Sequence, residues 1–152
     1  MRTLARKGDT MDLVTRIRTV RPESGRRWGR MTAHQMVCHL ADAFRMATGE
    51  KQVRIGAGVF NRTVLKWLVL YLPVRWPGGI PTSPELDQER VGTKLGGFSA
   101  DVAQVETLLD VVTAPSTNLD GTQHPMFGRM SRAEWLRWGY LHVDHHLRQF
   151  GA

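Results

Sequence analysis

Residues 131–150, SRAEWLRWGYLHVDHHLRQF, carry the chain's clearest helix signals. Ser131 followed three residues later by Glu134 is a capping box, which starts a helix at that point. Gly151 ends it. Trp135, Leu136, Trp138 and Tyr140 make this helix aromatic-rich, and tryptophans in such a setting build a core or a pocket wall. The same helix carries three of the chain's six histidines within five residues. His142 and His146 are four apart, so they sit one turn above the other on one face. Two imidazoles at that spacing can ligate one metal ion. A third ligand from another helix would complete a three-point site.

The chain's other helices offer a candidate for that third ligand. A helix is expected from Thr32, a good N-cap, through AHQMVCHLADAFRMAT to Gly49. Met36, Leu40, Ala43, Phe44 and Ala47 form its apolar stripe, and His39 lies beside that stripe. Residues 9–20 place Leu13, Ile17 and Val20 at helical spacing, closed by Pro22. Asn61–Leu72 is apolar and reads as a short helix ended by Pro73. The segment from Pro73 to Phe98 has four prolines and five glycines, an irregular connection of unusual length. Ser99 is expected to cap a helix over 100–113, with Val102, Val105, Leu108, Leu109 and Val112 inward and Asp101 complementing the helix dipole. No strand alternation stands out. These stripes predict an all-α helical bundle in one domain over residues 1–152, with 50–98 as an elaborated connection.

Composition narrows the function classes. The chain has 152 residues, 41% hydrophobic and 23% charged, which is ordinary for a globular protein. Net charge is +7, and residues 1–30 hold nine Lys or Arg against three acids. A basic end attracts anions, but no aromatic interleaving or groove-reading motif accompanies it, so no nucleic-acid partner is expected. The longest apolar run, Val64–Leu72, is too short to span a bilayer, which takes about 20 residues. With one cysteine and no signal-like N-terminus, a cytoplasmic protein is expected.

Neutral imidazoles suit Zn, Ni, Fe or Cu. Three protein ligands leave a position open for water or substrate, as in catalytic zinc sites. The plainer reading of the pair is helix histidines bonded to carbonyls. His34 is five residues from His39 and is read as surface-facing. His124, before Pro125, is read as a turn residue. Cys38 lies about 100° round the helix from His39 and is read as a buried small residue rather than a nucleophile.

Two segments, WGRMTAHQMVCHLADAF (28–44) and HPMFGRMSRAEWLRWGYLHVDHHLRQFG (124–151), resemble the DinB-like superfamily. That group includes YfiT-like metal-dependent hydrolases, bacillithiol S-transferases and a mycothiol-dependent isomerase. The likeness covers the chain from about residue 9 onward. It implies an up-down-down-up four-helix bundle, usually dimeric; the 50–98 region, between the second and third bundle helices, departs from that pattern because it is longer than the simplest members need. It also implies a divalent metal (Zn, Ni or Fe) held by His39, His142 and His146. His145, Gln149 and Asp42 are then expected around those ligands. The function so implied is metal-dependent S-transfer from a low-molecular-weight thiol to a small-molecule substrate. The alternatives are a metal-dependent hydrolase or a non-catalytic metal-binding, stress-related dimer.

Overall fold

The computed structural model describes residues 1–56, 58, 60–73, 75–80 and 82–152. The protein is mostly helical: α1 (Lys7–Ile17), α2 (Ala33–Thr48), α3 (Lys66–Tyr71), α4 (Phe98–Thr113) and α5 (Arg132–Gln149). A π-helical turn, Asn61–Leu65, leads into α3, and a 3-10 turn, Pro84–Leu86, lies in the long connection before α4. Both α1 and α2 pack against α4 and against α5.

The two helices that matter most are delimited by their own side chains. Ser131 and Glu134 form the expected capping box on α5. Thr32 and Gln35 form a second one on α2, and Gly49 closes that helix in the left-handed conformation. Each box satisfies two amides that would otherwise face no partner. The α2 stripe is buried as read: Met36, Leu40, Ala43, Phe44 and Ala47 are all in the core, with Trp135 and Leu147 of α5. Leu13 and Ile17 of α1 and Val105, Leu109 and Val112 of α4 complete it.

Three local expectations need correction. The α4 helix starts at Phe98 with Gly97 at its N-cap, and Ser99 makes no cap. Asp101 does more than complement the dipole, because its carboxylate accepts the Gly96 amide, which lies outside the helix. A minimal antiparallel ladder exists, Gln123–His124 against Gly128–Arg129. Two residues a side are too few to show alternation in sequence. The turn is set by His124, whose Nδ1 accepts the amides of Met126 and Phe127.

Buried Arg137 of α5 holds the outer elements in place. It donates to the carbonyls of Leu70, at the end of α3, and of Arg2. Four of the nine cations in residues 1–30 form ion pairs among the described residues: Arg2 with Asp12, Arg16 with Asp144, Arg18 with Glu106 and Arg30 with Asp87. Among the described residues, no helix is long and apolar enough to cross a membrane.

Candidate metal centre

The α2 and α5 helices bring three imidazoles to one point. Their ring centroids form a nearly equilateral triangle: 5.0 Å for His39–His142, 4.8 Å for His39–His146 and 4.8 Å for His142–His146. His39 Nε2 and His142 Nε2 are 3.1 Å apart. One ring nitrogen from each of the three lies within 4.8 Å of the others. Ligands on bonds of ~2.0–2.1 Å to one tetrahedral ion stand about 3.4 Å apart, so small ring rotations suffice.

The hydrogen bonds fix the tautomers. His39 Nδ1 is 2.9 Å from the carbonyl oxygen of Leu86. A carbonyl only accepts, so His39 carries its proton on Nδ1 and presents a bare Nε2. Gln149 Nε2 donates to the Trp28 carbonyl at 2.7 Å, which orients the amide and turns its oxygen toward His146 Nδ1 at 2.9 Å. His146 is therefore also protonated on Nδ1 and bare at Nε2. Metal-ligating histidines are commonly held in this way, by a carbonyl or carboxylate on the far nitrogen. His142 has no such partner: its Nδ1 is buried without a hydrogen bond among the described residues. Its ring is held instead by stacking on Trp138, centroids 4.6 Å apart.

Electrostatics favour the neutral, ligating form. Burial lowers the pKa of His39, with the Leu86 bond opposing it. Burial and the neighbouring imidazoles push His142 and His146 well below the usual histidine range. All three are deprotonated at neutral pH, as ligands must be. The donor set of three bare or bareable imidazole nitrogens fits a borderline divalent cation.

The other expected residues divide. Gln149 takes the orienting role described. Its approach to Trp28 depends on Gly29, whose φ is +79° and where a Cβ would lie 2.6 Å from Gln149 Nε2. His145 lies beside the cluster, 5.2 Å from His146 between centroids, and packs near Trp28 and Trp76. Asp42 makes no hydrogen bond to the histidines. Fully buried, it receives Thr93 N and Oγ1, Gln88 Nε2, Lys51 and Arg45. Burial works against its charge, but the bonds from Lys51 and Thr93 keep its carboxyl below the ordinary range. Asp42 thus anchors the connection that carries Leu86. His34 is not surface-facing: its Nε2 is 2.6 Å from Asp101 Oδ2. Cys38 is buried as read, and burial raises its thiol to about 12.

A cavity of about 850 Å³ opens onto the histidines. Trp28, Met31, Trp76, Ile80, Met126 and Trp138 are among its apolar walls, and Arg30 and Arg90 also border it. Sequence reasoning missed Trp76 and Leu86, which come from the irregular connection. The only signal for them was that connection's unusual length.

The molecule is thus a mostly helical protein with a three-histidine cluster, His39 and His146 buried and His142 partly buried, at the foot of an apolar cavity. Residues 7–152 match the family described as protein of unknown function DUF1569, and the chain belongs to it. No curated protein and no solved structure matches the chain.

Proposed function

We propose that this protein is a DinB-like four-helix bundle that binds one divalent cation through His39, His142 and His146 and catalyses S-transfer from a low-molecular-weight thiol. The observation that carries the metal assignment is the pair of fixed tautomers: Leu86 and Gln149 hold the Nδ1 protons of His39 and His146, leaving both Nε2 atoms bare in a cluster where His39 Nε2 lies 3.1 Å from His142 Nε2. The ring of helix contacts, α1 and α2 each on α4 and α5, supports the bundle. Bound there, a divalent cation supplies Lewis acidity that favours the thiolate of a thiol.

The chain's own residues do the rest. Leu86, Gln149 and Trp138 hold the three rings and limit their reorientation. Trp28, Trp76 and Met126 provide walls that take up an apolar electrophile and exclude competing water. Arg30, although paired with Asp87 at 3.2 Å, brings positive charge to the cavity edge, which favours an anionic thiol cosubstrate. In the reaction, sulfur bonds to the electrophilic carbon, the carbon–halogen or epoxide carbon–oxygen bond breaks, and the thiol proton goes to solvent or to the opened oxygen.

Hydrolysis is the second reading, supported by the presence of Asp87 and Glu89 on the cavity wall as candidate general bases. Asp87 is committed to Arg30 and to the Glu89 amide, which ranks this reading lower. The homodimer that the likeness implies would have an exposed apolar row available, Phe60, Val64, Trp67 and Tyr71.

The test is consumption of epoxide or halide electrophiles by zinc-loaded protein with a panel of low-molecular-weight thiols. Turnover that needs both thiol and metal, and is lost in His142→Ala, is expected. Turnover without thiol would favour hydrolysis, and none with any thiol would overturn S-transfer.

A further inference from the structure

A second group of ligand-type side chains stands apart from the three histidines. His34 and Cys38 are four residues apart on α2, so they share a face, and that face meets the first turn of α4 at Asp101. His34 Nε2 lies 2.6 Å and Cys38 Sγ 3.5 Å from Asp101 Oδ2. One ligand atom from each of the three lies within 4.8 Å of the others. Cys38 is buried, whereas the side chains of His34 and Asp101 are each 17% exposed, so a hydrated ion has a route in.

We propose that His34, Cys38 and Asp101 form a second cation site, selective for a borderline divalent ion such as zinc or cobalt. Three observations point there together. The donor set is one sulfur, one imidazole nitrogen and one carboxylate oxygen, which suits zinc-like ions and not magnesium or calcium. Gly96 N, His34 Nε2 and the Cys38 thiol all converge on the single oxygen Oδ2, while Oδ1 accepts from no donor among the described residues. The three side chains also come from two elements already packed together, so little chain entropy is lost on closing the site.

Binding opens the His34–Asp101 contact from hydrogen-bond length to the ~3.3 Å spacing of two ligands on one ion. It releases the thiol proton to solvent. Three protein ligands leave one position for water. The consequence is mechanical: Asp101 also holds Gly96, the end of the long connection, so a cation here clamps α2, α4 and the strand of chain that runs back to Leu86. This site does not depend on the histidine cluster. Cys38 and His39 are neighbours in sequence but point to different faces of α2.

Cobalt(II) titration of the metal-free protein, read by absorption, tests the proposal. A near-ultraviolet sulfur-to-cobalt band is expected in the wild type and in His142→Ala. It should be absent in Cys38→Ser, which is close to isosteric and keeps the fold. In His34→Gln, which keeps a donor for Asp101, cobalt binding at this site should weaken at least tenfold. Stoichiometry should be two per chain in the wild type and one in each of Cys38→Ser and His142→Ala. Absence of the sulfur band in the wild type at saturating cobalt, or a stoichiometry of two in Cys38→Ser, overturns the second site. Loss of the other equivalent alone, with the band intact, overturns the histidine site instead.

Discussion

Gln149→Ala isolates the orienting shell from the ligands themselves. The substitution removes the acceptor for His146 Nδ1–H at 2.9 Å and the donor to the Trp28 carbonyl at 2.7 Å. Gln149 is 4% exposed, so water does not freely replace either bond. Loss of such a partner costs about 10- to 100-fold in metal affinity, or about 1.4–2.7 kcal/mol. Two orphaned buried groups also destabilise the fold by about 1–3 kcal/mol each. Gln149→Glu separates the two effects, since it keeps an acceptor for His146 but loses the Trp28 bond. Zinc affinity, measured by competition with a chromophoric chelator on metal-free protein, should fall in the alanine variant and stay near wild type in the glutamate variant. Melting temperature should fall in both. If Gln149→Ala stays folded by circular dichroism and binds zinc within twofold of wild type, the orienting role is refuted.

Asp42→Ala should destabilise the fold by about 3–5 kcal/mol in urea unfolding, because it strands Lys51 and Arg45 beside a buried position; a loss below 1 kcal/mol would show that these contacts are dispensable. Burial pushes His124 down to about 3 from 6.5, so between those pH values the unfolded chain binds a proton that the folded chain does not. Its contribution is therefore complete above pH ~6.5 and is lost toward pH ~3, by at most about 5 kcal/mol. His124→Asn, which can accept the same two amides, should flatten that slope, and parallel pH profiles would contradict the assignment. Light scattering should give twice the 17.2 kDa chain mass, reduced to one chain by Trp67→Arg; a monomeric wild type would remove the dimer.

What was legible in the sequence was local. The α5 capping box and the α2 stripe depend on neighbours three or four residues away, and both stand as read. The meeting of His39 with His142 and His146 was legible because each helix announces its own buried face. The supports of that site were not. Leu86 contributes a backbone carbonyl, which any residue could provide, from a connection without periodicity. Trp76 lies in the same stretch. Asp42 looked like a neighbour of His39, yet its face of α2 meets Thr93 and Lys51. His34 looked exposed because its partner, Asp101, is 67 residues away and had already been given a role in the helix dipole.

The most direct measurement is a crystal structure of untagged protein grown with zinc, using anomalous scattering at the zinc edge. A peak is expected about 2 Å from Nε2 of each of His39, His142 and His146, with the Leu86 and Gln149 bonds retained. Zinc bound elsewhere at millimolar concentration, with no peak among these three rings, would contradict it.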